Sequence, residues 1–160
     1  MSATHEALVR RGIEEILNRG DMAVAREIFH DDFTFHTPVR AEPFRGPSGF
    51  VDYVSTIRTA FPDIRFTVED LFSDTDRVVA RWSARLTHTG DFFGIPPTGA
   101  SATLTGIHVY RVTGDKIAEE WQELNALGLI QQLGVLPDVE KIPRPVLVGL
   151  VKLRRLARRR

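Results

Sequence analysis

The hydrophobic spacing of this 160-residue chain changes once, at Pro62, and that change restricts it to one fold class. Before Pro62 apolar residues recur three and four apart, as on a helix; after it they alternate, as on a strand. Ala7, Leu8, Ile13, Ile16 and Leu17 predict a first helix ended by Gly20. Asp21 is placed to cap a second helix with Val24, Ala25, Ile28 and Phe29 facing inward. Phe33 and Phe35 alternate with Thr34 and His36 as a short strand ending at Pro38. A third helix, capped by Ser48, turns Phe50, Val51, Val54 and Ile57 toward the core. Strands follow at about 64–72, 77–88, 101–113 and 116–125, with turn residues at 73–76 and 113–115 that call for antiparallel neighbours. Helices first and a meander after is an α+β arrangement, and a bent sheet cupping helices leaves a cavity between the layers.

Charge divides the chain where hydropathy does not. Residues 1–140 hold 13 Lys and Arg against 21 Asp and Glu, whereas residues 141–160 hold eight basic residues and no acid. Two regions follow: a globular domain over 1–136 and a basic amphipathic tail over 137–160. The tail's Val, Leu and Arg pattern suits an anionic membrane surface or an acidic partner, and nucleic acid less, because a phosphate backbone makes no use of the apolar stripe. The N-terminus has no continuous apolar run, so a cytoplasmic location is expected, with the tail offering peripheral membrane attachment.

With no Cys in the chain there is no disulfide framework, thiolate nucleophile or Cys-based metal site. The glycines at 90, 94 and 99 lack dinucleotide and phosphate-loop spacing, and the histidines lack metal-ligand spacing, so no cofactor and no metal are expected. His108 is the first candidate, because an imidazole can pass a proton near neutral pH; the alternative is a histidine packed on a sheet. Strand alternation puts Leu104, Gly106 and Tyr110 on its face. Arg81, flanked by apolar residues, either binds an anionic oxygen or pairs with an acid on the next strand. His36, Trp82 and His88 line the pocket mouth or belong to the core. Asn125 directly precedes a helical stretch from Ala126 to Leu133 and suits a helix cap.

Several pieces of the second half resemble one family: His88 with Gly90, GIPPTG at 94–99, the His108 strand, the segment from Lys116-Ile117 to Trp121, and GLIQQLG at 128–134. Across residues 5 to 136 the order is similar to the SnoaL-like polyketide cyclases and ester cyclases of the nuclear transport factor 2-like superfamily. The resemblance implies a strongly curved antiparallel sheet wrapped around the N-terminal helices, a cone-shaped α+β barrel with one central pocket, and a homodimer. It implies a hydrophobic or polyketide-like, carbonyl-rich ligand. It also implies a catalytic Asp after the Trp, where this chain has Gln122, and in many ester cyclases a second Asp where this chain has Asn125. An amide takes no proton at neutral pH but still bonds a carbonyl or hydroxyl. His108 and Gln122 are therefore the expected reacting pair, with His36, Arg81, Trp82, His88, Tyr110 and Asn125 as ligand-binding candidates. Glu120 shares Gln122's face by alternation, and as a carboxylate it is expected near the rim, in water.

Overall fold

A computed structural model of the protein describes residues 2–137; the basic tail beyond Pro137 lies outside the described residues. Helix α1 (Ser2–Arg11) widens into a π-helical segment (Gly12–Asn18). Asp21 accepts a hydrogen bond from the Ala23 amide and opens a 3-10 turn (Met22–Val24) that leads into the short α2 (Ala25–Ile28). The inward stripe of the first helix runs through Val9, Ile13, Ile16 and Leu17, with Ala7 outside it. Strand β1 (Phe29–His36) starts four residues earlier than the aromatic alternation indicates, and β2 is the two-residue Phe44–Arg45. Helix α3 (Gly46–Ala60) begins ahead of Ser48: Pro47 occupies its first turn and the extended Arg45 its cap position, so Ser48 caps nothing.

Strands β3 (Arg65–Asp74), β4 (Arg77–Thr87), β5 (Ser101–Thr113) and β6 (Lys116–Leu124) form the expected antiparallel meander, and α4 (Ala126–Gln132) follows. The sheet runs β2-β1-β6-β5-β4-β3. Because β1 pairs with β6 in parallel, the sheet is mixed, and it stays open between its two edge strands. No local turn announces the β1–β6 pairing; α3 and four strands separate the two in sequence.

Two apolar clusters hold the layers together. In one, Phe29 stacks on Phe33 at 4.1 Å between ring centres while Phe50 of α3 sets its edge against Phe29, Phe33 and Phe35. In the other, Phe61, Trp82, Leu86 and Leu104 meet Leu129 and Leu133 at the opposite end of the sheet. None of the described helices is long and apolar enough to cross a membrane.

The C-terminal end of α3 is fastened to the segment after β4. The Thr89 and Gly90 amides both donate to the Ala60 carbonyl, at 3.1 and 3.0 Å. The chains approach so closely that a Cβ on Gly90 would sit 2.2 Å from the Thr59 carbonyl oxygen. Gly90→Ala must therefore push backbone against backbone, a strain of about 1–3 kcal/mol. We expect its melting temperature to fall by roughly 3–10 °C in a thermal denaturation experiment.

Candidate active site

A cavity of about 330 Å³ opens where the two apolar clusters meet, between α3, the inner sheet face and α4. Its wall is almost wholly apolar. Phe50, Val54 and Ile57 come from α3, Trp82 and Leu86 from β4, Leu104 from β5, and Leu129 and Ile130 from α4, with Phe92, Phe93 and Ile95 contributed by the loop after β4. Arg58 touches the cavity too, but its guanidinium donates at 2.9 Å to the Leu17 carbonyl and so closes the end of the N-terminal helix. The polar groups that remain come together on β5 and β6: His108 and Gln122, with Tyr53 beside them on α3.

Strand register makes this pairing. His108 lies directly opposite Gln122, and Tyr110 opposite Glu120. A shift in register between Arg111 and Val112 adds a residue to β6, so that Ile117, Glu120 and Gln122 all turn inward although their numbers differ in parity. Gly106, two residues before His108, faces Trp82; a Cβ there would come within 2.4 Å of the indole. That bare backbone lets Trp82 lie flat against the sheet and meet the His108 ring edge-on at 5.2 Å.

Gln122 is held at both ends of its amide. Its Oε1 accepts from the Thr37 hydroxyl at 2.8 Å and from the Tyr53 hydroxyl at 3.1 Å, while its Nε2 lies 2.9 Å from His108 Nε2. With both oxygen lone pairs taken, the amide nitrogen donates to His108, which then carries its own proton on Nδ1. Nδ1 faces the Glu120 carboxylate at 3.1 Å and the Tyr110 hydroxyl at 2.8 Å. All these contacts are satisfied together by this one arrangement. It leaves a single unspent hydrogen on the Gln122 amide, so the resting site offers a ligand a donor and no free base.

Glu120 overturns the expectation of a rim position: it is 1% exposed. A buried carboxylate needs partners, and the His108 imidazole is the one at hand. Burial pushes the Tyr53 hydroxyl up to about 12, and burial together with the Glu120 charge raises Tyr110 well above the ordinary phenol value, so both stay protonated.

The other candidates are scattered. Arg81 is exposed on the outer face and paired with Asp70 of β3, which is the second of its two readings; it does not reach the cavity. His36 lies on the outer face, stacked on Trp121 at 5.4 Å and bonded to Glu119 at 2.9 Å. His88 is fully buried behind Phe61 and Phe92, with Nδ1 accepting from the Thr98 amide. Tyr110 lies behind His108 and does not line the cavity. Asn125 caps α4 by accepting from the Gly128 amide at 2.9 Å. Among the described residues no group of three His, Asp or Glu side chains is placed to hold a metal ion. Sequence reasoning missed Tyr53 and Thr37. Tyr53 follows Phe50 by three on the inward stripe of α3, a spacing that was available; Thr37 gave no signal.

The comparisons name the family of this helix-covered open sheet with polar side chains at one end of an apolar cavity. The sequence model of the SnoaL-like polyketide cyclases matches residues 7–133, and the chain belongs to that family. It is 28% identical over 134 residues to the aklanonic acid methyl ester cyclase DnrD of Streptomyces peucetius, covering 82% of this chain and 92% of that one. Among solved structures it is similar to AclR, a candidate hydroxylase of Streptomyces galilaeus, with a TM-score of 0.74 and 26% identity over 98% of this chain and 96% of that one. A SnoaL-like protein of Jannaschia sp. CCS1 shares the fold, with a TM-score of 0.77 at 19% identity over 85% and 95% of the two chains.

The tyrosines give the site a signature in alkaline solution. The chain has only two, Tyr53 and Tyr110, both raised above the unfolded value near 10. A folded value above the unfolded one means that their contribution to stability is complete below pH 10 and is lost as pH rises toward 12. We expect phenolate absorbance to stay flat through pH 10 and to rise only as the protein unfolds. A normal tyrosine titration in folded protein would contradict this placement.

Proposed function

We propose that this protein is a cyclase-type enzyme acting without a cofactor on a carbonyl-rich, hydrophobic small molecule, with Gln122 standing where the family's acid/base Asp is expected. The observation that carries this reading is the composition of the cavity: His108 and Gln122, with the Tyr53 hydroxyl bonded to Gln122, at the end of a mostly apolar chamber. A flat, polyketide-like body is stabilised by the aromatic and aliphatic wall. Its carbonyl takes the free Gln122 amide hydrogen, a donor the site leaves without an acceptor, as it does the Trp82 indole N–H in the same wall. Donation to a carbonyl stabilises negative charge developing on its oxygen, which is the electrostatic part of an aldol-type ring closure. The trial substrate is aklanonic acid methyl ester, the compound named for the DnrD relative.

A second reading, a module that holds the ligand without turning it over, draws on the same hydrogen bonds: in the resting state the His108 Nε2 lone pair is occupied by Gln122, and among the described residues no other base lines the cavity.

Turnover assays with aromatic diketones and the methyl ester separate the two. The enzyme reading expects ring-closed product from wild type, a fall in kcat/KM of about 100-fold or more for His108→Ala, and a gain for Gln122→Asp, which restores a carboxylate. Tight binding with no product from wild type or from Gln122→Asp would leave the binding module.

A further inference from the structure

Resting on that enzyme reading, we infer that the proton acceptor of this site is His108 and that buried Glu120 is its positioning residue, so the carboxylate absent at 122 acts from two residues earlier and one layer deeper. Glu120 lies outside the cavity, behind the imidazole, with side-chain exposures of 2% for Glu120 and 3% for His108. An acid hidden so completely, 3.1 Å from Nδ1, has no access to a substrate. Its geometry does one thing well: it keeps the ring proton on Nδ1 and leaves the Nε2 lone pair on the cavity side.

In the resting state Gln122 occupies that lone pair. A ligand carbonyl that takes the free Gln122 amide hydrogen and turns the amide toward itself, away from the imidazole, frees Nε2 as it binds. The C–H bond beside the carbonyl then breaks, its proton passes to Nε2, and its electron pair moves to the carbonyl oxygen as an enolate held by Gln122. Glu120 balances the imidazolium. The enolate carbon forms the new C–C bond at a second carbonyl of the same molecule, and the alkoxide produced takes the proton back, so nothing is consumed but the open chain. The groups facing His108 are Glu120 and Gln122 from β6, Tyr110 from its own strand and Trp82 from β4, with Tyr53 of α3 reaching it through Gln122. Glu120 is the single anion among them.

A nitrobenzisoxazole tests this without the natural substrate: its ring oxygen, on which phenolate charge develops, takes the Gln122 amide hydrogen in place of a carbonyl, and removal of its ring proton by a base breaks the N–O bond and releases a coloured cyanophenolate. Full-length wild type is expected to accelerate the opening above buffer, and His108→Ala to lose about 100-fold. Glu120→Gln keeps the shape without the charge; it should lose about tenfold, and the acidic limb of its pH–rate profile should move to lower pH, because the imidazolium has lost its counter-charge. Wild type with no acceleration, His108→Ala with an unchanged rate, or Glu120→Gln with the wild-type profile would each overturn the inference. Imidazole nitrogen NMR of the wild type decides independently of how the variants fold: Nδ1–H is expected for neutral His108, and an Nε2–H ring would overturn it. Elimination without turnover of the methyl ester would fail the cyclase reading alone; ring closure that survives in His108→Ala would fail this inference alone.

Discussion

The register between β5 and β6 is the constraint on which the site depends. It places His108 opposite Gln122 and Tyr110 opposite Glu120, and the extra residue in β6 brings Ile117 onto the inner face that Glu120 and Gln122 share. A slip of β6 by one residue would carry Glu120 and Gln122 to the outer face, away from His108 and Tyr110. The apolar layers then make the hydrogen bonds count, because in a cavity walled by Phe, Leu, Ile and Trp an unpaired polar group costs about 1–3 kcal/mol. Each polar atom of the group around Gln122 is accordingly paired, and the pairing fixes what a ligand is offered.

Much of the scaffold was legible from spacing alone. The four meander strands, the capping role of Asp21 and that of Asn125 follow from residues that act on their immediate neighbours. Arg81 also belongs with the legible cases, since Ala80 and Trp82 turn inward and alternation sends Arg81 out. What sequence could not reveal depends on distant partners. The first half of β1 carries His30, Asp31 and Asp32, so its strand character comes from pairing rather than from alternation. Glu120 was placed on the correct face but at the wrong depth, because a carboxylate is ordinarily solvated and its buried partner sits on another strand.

Gln122, which stands after the Trp where the resemblance implies an Asp, reads differently once Thr37 and Tyr53 are in view. Their hydroxyls occupy both lone pairs of the amide oxygen, and the amide nitrogen binds His108. Gln122 is thereby an oriented donor rather than an ordinary strand residue facing solvent. The polar end of the cavity is built around a neutral amide and a buried imidazole–carboxylate pair.

The central claim is that a carbonyl binds at the Gln122 amide inside the apolar cavity. The most direct measurement is an NMR titration of the Gln122 side-chain N–H resonances with a simple aromatic ketone, assigned by loss of those signals in Gln122→Glu. The account predicts that the two amide hydrogens shift saturably and unequally, the one free of His108 moving more. Saturable binding with the Gln122 resonances unmoved would contradict it.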